Sequence, residues 1–280
     1  MPELPEVQTI VNDLKDNVSG YTIVKVWVSA SYPKIENKKD FEKRVTGKKI
    51  VTTKRVAKNI LIGLDDNNYI LIHLAMTGQV LLLDLEKKNG KPAHVVFQIK
   101  KGGDVKLLTF ADTRMFGKMA LLSHEDVKKL EQKYGVEPIS QNLEVDKLYE
   151  TIKNRRTIIK NLLMEQSTVA GLGNIYATEA LFLAKVHPQQ HVKSLSPEKF
   201  RNVMEAAKSV LLMGIKNRGS TLPDETYVDI WGKSGTQQNH FNIYLKKTCL
   251  VCNGKVSFVK IGGRGTYFCP DCQPLEQNAN

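Results

Sequence analysis

Apolar residues recur at helical spacing near the start of the chain, with Val7, Ile10, Val11, Leu14 and Val18 on one face. They predict an amphipathic helix over 5–18 that tolerates Pro5 in its first turn. Over 21–116 the period shortens to two. Val24, Val26 and Val28 alternate with Lys25 and Trp27, and β-rich runs at 69–73, 95–99 and 105–110 are separated by turn groups. Those groups are Asp65-Asp66-Asn67-Asn68, Asn89-Gly90 and Lys101-Gly102-Gly103-Asp104, and the pattern predicts an antiparallel sandwich or barrel. Ser123, with Asp126 in the capping-box position, opens a further short helix, and Tyr134-Gly135-Val136-Glu137-Pro138 then breaks the pattern. Helical spacing returns at 145–153, 157–166, 174–184 and 197–216, the last with Phe200, Val203, Met204, Ala207 and Leu211 on one face. The stretch 219–247 is polar and loop-like apart from a β-rich run at 241–245. The expected class is α+β: an N-terminal antiparallel β-sandwich with a leading helix over 1–134, a helical domain over 135–240, and a cysteine-bearing β-hairpin unit over 241–280.

Charge narrows the partner. Of 280 residues, 41 are Lys or Arg against 29 Asp or Glu, a net charge of +12. Such an excess suits a polyanion, although charge alone is equally compatible with a merely solvated basic face. With 41% hydrophobic and 25% charged residues, disordered and collagen-like classes are excluded. No apolar run approaches the ~18–20 residues of a membrane span, and the first residues form no basic leader. A soluble, unexported, cytoplasmic chain with no membrane partner is expected.

All four cysteines fall near the C-terminus, as Cys249-x2-Cys252 and Cys269-x2-Cys272, with sixteen residues between the pairs. Two C-x2-C turns brought together by a hairpin supply the tetrahedral S4 shell of a structural Zn²⁺ site. Two disulfides are the alternative, and the absence of a secretory signal favours one structural zinc. Between the pairs lie Gly262-Gly263-Arg264-Gly265. These glycines suit a tight tip that presents the Arg264 guanidinium to a phosphate or base, or one that simply turns the chain.

Pro2 is the most unusual chemical feature. Removal of Met1 would leave a free secondary amine beside Glu3 and just before a helix, whose positive end favours the neutral, nucleophilic form. A secondary amine that attacks a sugar anomeric carbon can give only a cationic iminium. That cation acidifies the 2′ hydrogen and lets the 3′ phosphate leave by β-elimination. Glu3 could act there as general acid and base. Taken alone, proline after an initiator methionine more often means only efficient methionine removal.

The opening Met1-Pro2-Glu3-Leu4-Pro5-Glu6-Val7, the segment Gly171-Leu172-Gly173-Asn174-Ile175-Tyr176 and the tip Gly263-Arg264-Gly265-Thr266-Tyr267 before Cys269-Pro270-x-Cys272 together resemble the formamidopyrimidine-DNA glycosylase family, in order and over the whole chain. The resemblance implies a β-sandwich carrying the catalytic proline, a helical domain with a helix-two-turns-helix motif, a zinc finger, and DNA in the cleft between the domains. It implies a monomeric base-excision-repair enzyme that removes oxidised purines such as 8-oxoguanine and formamidopyrimidines from duplex DNA and nicks the abasic site by β,δ-elimination. By the resemblance, Pro2 is the nucleophile and Glu3 the acid and base. Lys58 contacts DNA near the lesion, and Arg264 of the finger joins the catalytic set. Met76, Arg114 and Phe116, from His73-Leu74-Ala75-Met76-Thr77-Gly78 and Asp112-Thr113-Arg114-Met115-Phe116-Gly117, would fill the gap left by the extruded nucleotide, while His73 and Asn174 touch phosphate. Read without it, Met76 and Phe116 on β-strands are ordinary core residues, and Lys58 is a solvated strand charge. Lys153, Arg155, Arg156 and Lys160 are either positioning charges or a solvated basic face. The glycine turn before Asn174 also suits a helix-hairpin-helix.

Four regions depart from the family pattern. Thr178 and Glu165 stand where the family usually has Asp, and Asn59 stands where a larger apolar residue is commoner. The region 218–240, which holds the family's lesion-reading loop, keeps Gly219-Ser220-Thr221 but diverges at Leu222-Pro223-Asp224-Glu225-Thr226 and at Gln237-Gln238-Asn239-His240. Two rivals stand beside the purine-excising reading: an endonuclease VIII-like enzyme for oxidised pyrimidines, and a non-catalytic zinc-containing DNA-binding protein.

Overall fold

A computed structural model describes residues 1–35, 37–85, 93–223 and 226–276. The expected Asn89-Gly90 turn, and Asp224 and Glu225 of the divergent loop, lie outside the described residues. The fold is α+β, in two compact units: Met1–Gln132 with Asn217–Gln238, and Lys133–Lys216 with the chain from Asn239 onward. No described helix is long and apolar enough to cross a membrane.

The first unit begins with α1 (Leu4–Val18), followed by β1 (Thr22–Val28), α2 (Lys38–Val45), β2 (Ile50–Val56), β3 (Asn59–Leu64), β4 (Tyr69–His73), β5 (Gly78–Asp84), β6 (Ala93–Lys101), β7 (Asp104–Asp112), β8 (Lys118–Leu122) and α3 (His124–Glu131). The strands form two antiparallel four-stranded sheets, ordered β1-β6-β7-β5 and β2-β3-β4-β8. α1 turns Val7, Ile10, Leu14 and Val18 into the core that both sheets share, each fully buried side chain contributing about 1.5–3 kcal/mol. Ser123 caps α3 through a complete capping box with Asp126. α2 interrupts the alternating stretch where only strands are expected. It is eight residues long and buries only Phe41 and Val45, one turn apart, so it leaves almost no periodic signal.

In the second unit, α4 (Val145–Ile152), α5 (Ile159–Met164), α6 (Asn174–Leu183) and α7 (Pro197–Lys216) precede the hairpin of β9 (Ser257–Ile261) and β10 (Arg264–Phe268). The β-rich run at 241–245 forms no strand. The buried Glu179 carboxylate on α6 instead accepts the backbone N–H groups of Asn242 (2.7 Å), Ile243 (2.9 Å) and Tyr244 (2.8 Å), which removes the donors a ladder would need.

The segment expected to belong with the helical domain up to residue 240 divides differently by its contacts, because 217–238 packs with the first unit. Ile230 enters the sandwich core and its carbonyl accepts the Leu82 N–H at 2.7 Å. Arg218 grips Asp13 of α1 with two bonds (3.1 and 2.6 Å) and Asp229 with a third at 2.8 Å. One guanidinium thereby ties the start of the segment and its middle to the helix that follows Pro2.

Candidate active site and nucleic-acid interface

In the first unit Pro2 and Glu3 are buried at the entrance to α1. Glu3 is the N-cap, locked in a capping box with Glu6, whose Oε2 accepts the Glu3 N–H at 2.8 Å. The other carboxylate oxygen of Glu6 accepts the Ser220 N–H at 2.7 Å. Glu6 thus joins the N-terminus to the start of the 219–227 loop. Gly219 makes this approach possible: its φ is +78°, and a Cβ there would stand 2.9 Å from both Glu6 Cγ and the Tyr227 ring.

Lys58 sits in the two-residue turn between β2 and β3, after Ala57 at φ 52°, and is only 8% exposed. This is not the solvated strand charge of the plain reading. Its basic neighbours are paired within the unit: Arg55 bonds Gln8 and the Ala57 carbonyl, and Lys54 forms a surface ion pair with Glu131. Asn59 fixes the turn, with its Nδ2 donating to the Val56 carbonyl at 3.0 Å. Its Oδ1 faces His73 Nδ1, 3.0 Å away. Burial, then the Lys58 and Lys118 charges, hold the imidazole pKa below its ordinary range.

Met76 and Phe116 do not join the core. They are 38% and 51% exposed, and the Arg114 guanidinium lies 4.9 Å from the Phe116 ring centroid. The first unit therefore brings together two exposed apolar groups and an arginine, carried by the β4–β5 and β7–β8 loops.

In the second unit the turn before α6 is built by Gln166. Its Oε1 accepts the Gly171 N–H at 3.0 Å and its Nε2 donates to the Leu172 carbonyl at 2.8 Å. Asn174 occupies the first turn of α6, whose N-cap is Gly173. Its side chain reaches the hairpin, with Nδ2 on the Gly265 carbonyl at 2.9 Å, and its Oδ1 accepts from Lys160 Nζ at 2.8 Å. Lys160 is fully buried and also bonds Thr178 and Thr266. It is neither a surface positioning charge nor part of a solvated face. Lys153 pairs with Glu150 and Arg155 with Glu165, so Arg156 is the exposed member of that cluster.

The Gly262-Gly263 turn, with φ of 55° and 75°, joins β9 to β10 and leaves Arg264 exposed at the start of β10. All four cysteines are unbridged, and their Sγ atoms lie within 4.8 Å of one another. The distances are 3.8 Å for Cys249–Cys272 and 3.4 Å for Cys252–Cys269. Four thiolates at zinc bond lengths of about 2.3 Å would stand about 3.8 Å apart on a tetrahedron. The shell therefore fits one structural Zn²⁺, with Val251 and Gly254 N–H groups directed at Cys249 and Cys252 sulfur.

Three family models match in succession. The formamidopyrimidine-DNA glycosylase N-terminal domain covers residues 1–119, the H2TH domain of the same glycosylase 134–226, and the zinc finger found in FPG and IleRS 246–275. The formamidopyrimidine-DNA glycosylase of Chloroflexus aurantiacus is 36% identical over 277 residues, spanning 98% of each chain. The chain belongs to the formamidopyrimidine-DNA glycosylase family. Among solved structures, a Lactococcus lactis FPG mutant in complex with a Fapy-dG containing DNA matches with a TM-score of 0.88 at 32% identity, covering 98% of this chain and 100% of that one. The Lactococcus lactis Fpg with an abasic site containing DNA gives 0.87 at 32% identity, covering 97% and 99%.

Within this glycosylase framework, four organising residues escape a reading by motif. Glu6 has a sequence signal, its i, i+3 spacing from Glu3 ahead of an apolar run. Glu179, Gln166 and Arg218 have none, since their partners lie in other elements. Two departures from the family pattern have local explanations. Glu165 receives Arg155 at 2.7 Å, and Thr178 supplies a neutral acceptor to Lys160 while donating to the Asn174 carbonyl at 2.7 Å.

Proposed function

We propose that this chain is a bifunctional DNA glycosylase and abasic-site lyase of base excision repair, acting as a monomer in the bacterial cytoplasm on oxidised purines in duplex DNA. One observation carries the reading: Pro2, followed by the N-cap Glu3, is held at a helix entrance by Glu6, whose second oxygen holds the 219–227 loop. Whole-chain likeness to formamidopyrimidine-DNA glycosylases supports it.

With Met1 removed, the Pro2 amine attacks C1′ and the C1′–N bond electrons leave with the damaged base, which takes up a proton. Glu3 protonates the ring oxygen, the sugar opens, and the nitrogen lone pair forms the C1′ iminium. Loss of the 2′ proton then expels the 3′ phosphate, and a second elimination expels the 5′ phosphate. Proton transfer by a placed carboxyl is worth about 10²–10⁴ in rate. Lys58, His73, Asn174 and Arg264 hold the flanking phosphates, Asn174 with its remaining amide hydrogen. Met76, Arg114 and Phe116 occupy the void, which offsets part of the few kcal/mol that unstacking costs. Bound zinc supplies no chemistry: Cys249, Cys252, Cys269 and Cys272 would hold it, and it fixes the hairpin that presents Arg264.

Glu3→Gln separates the two activities. Base release from an 8-oxoguanine duplex is expected to fall at least about 100-fold, while nicking of a preformed abasic site, which already has an accessible aldehyde, persists. Equal loss of both would contradict the role of Glu3.

A further inference from the structure

We propose that Asp112 is the positioning residue for the void-filling side chains, the mount on which both wedge loops are set. The proposal rests on the reading that Met76, Arg114 and Phe116 enter the duplex. Asp112 ends β7 and is 1% exposed, yet its carboxylate forms no ion pair among the described residues and accepts loop donors instead. Oδ2 accepts the Gly117 N–H at 2.6 Å. Oδ1 accepts the Arg114 N–H at 3.3 Å and the hydroxyl of Thr77, which in turn accepts the Arg114 N–H at 3.1 Å. The Asp112 carbonyl accepts the Met115 N–H at 3.2 Å.

One residue thereby holds three N–H groups of the loop that carries Arg114 and Phe116, and through Thr77 the loop that carries Met76. Both loops contain a non-glycine residue in the left-handed region next to a wedge residue: Ala75 at φ 50° and Met115 at φ 54°. Such backbone persists only where its surroundings over-determine it. The support continues behind Asp112. The Tyr32 hydroxyl donates to the Gly117 carbonyl at 2.7 Å, and its ring stacks on His94 at 5.0 Å. His94, at the bulge of β6, places Nε2 2.8 Å from the Asp112 carbonyl. None of these three side chains is among the exposed wedge groups, so their contribution to extrusion is made through the loops.

Thr77→Val removes the hydroxyl link with little change of shape, and Thr77→Ser keeps it. Asp112→Asn turns a donor toward the Gly117 N–H. The readouts are 2-aminopurine fluorescence beside the lesion, single-turnover base release from an 8-oxoguanine duplex, and nicking of a single-stranded abasic oligonucleotide, which has no stack to open. Thr77→Val and Asp112→Asn are expected to slow the fluorescence rise and duplex base release by about tenfold or more. Single-strand nicking should hold its wild-type rate, and Thr77→Ser should behave as wild type. Wild-type duplex kinetics in Thr77→Val, or an equal fall in single-strand nicking, would overturn the mount. A Phe116→Ala control that leaves the fluorescence rise unchanged would instead remove the wedge reading, and the mount with it.

Discussion

His73 shows how burial decides what one side chain can do. The imidazole is held below its ordinary pKa of about 6.5 by burial and by Lys58 and Lys118. An unfolded histidine takes up its proton near the ordinary value, whereas the folded one waits for lower pH. Its contribution to folding stability is therefore complete above the ordinary value and lost as pH falls from there through the folded pKa. Denaturant titrations across this window should show a shallower acid decline in His73→Gln than in wild type, and an identical decline would contradict the assignment. Sequence made such residues visible without their environments. Without the family resemblance Lys58 and Lys160 read like any other basic residue, yet one is nearly buried in a turn and the other wholly buried between Asn174, Thr178 and Thr266. Only the tertiary fold distinguishes them from the exposed Arg156.

Among the elements, long periodic ones were legible and context-dependent ones were not. The twenty-residue α7 and the amphipathic α1 follow from apolar spacing alone. α2 is too short to show a period, and 241–245 has strand composition but lends its N–H groups to Glu179. The hairpin of β9 and β10 was announced by its cysteine spacing, and its tie to α6 through Asn174 and Gly265 was not. That tie makes a testable link between metal and DNA. Removing zinc with a chelator should loosen the hairpin, abolish nicking and weaken binding to an abasic duplex by about tenfold or more. Re-addition of Zn²⁺ should restore both. Unchanged affinity in protein shown to be zinc-free would rule out this role for the finger.

At the scale of the whole molecule, the net charge of +12 sets the strength and salt dependence of association. If Lys58, Arg264 and one further cation each neutralise a phosphate, a fourfold rise in salt should weaken duplex binding about 40-fold. Affinity nearly independent of salt would exclude a phosphate track. The order of the domains was legible, but the placing of 217–238 with the first unit was not, because it depends on Arg218 meeting Asp13, some two hundred residues earlier. Through that pairing, and through Glu6, the divergent loop is anchored to the helix that starts beside Pro2. The covalent chemistry assigned to Pro2 is the claim on which the rest depends. Borohydride trapping on an 8-oxoguanine duplex, followed by mass mapping of the adduct, tests it most directly. One protein–DNA adduct is expected on the N-terminal peptide, at Pro2 of a chain lacking Met1. No adduct from protein shown to begin at Pro2, or an adduct on a lysine such as Lys58, would contradict it.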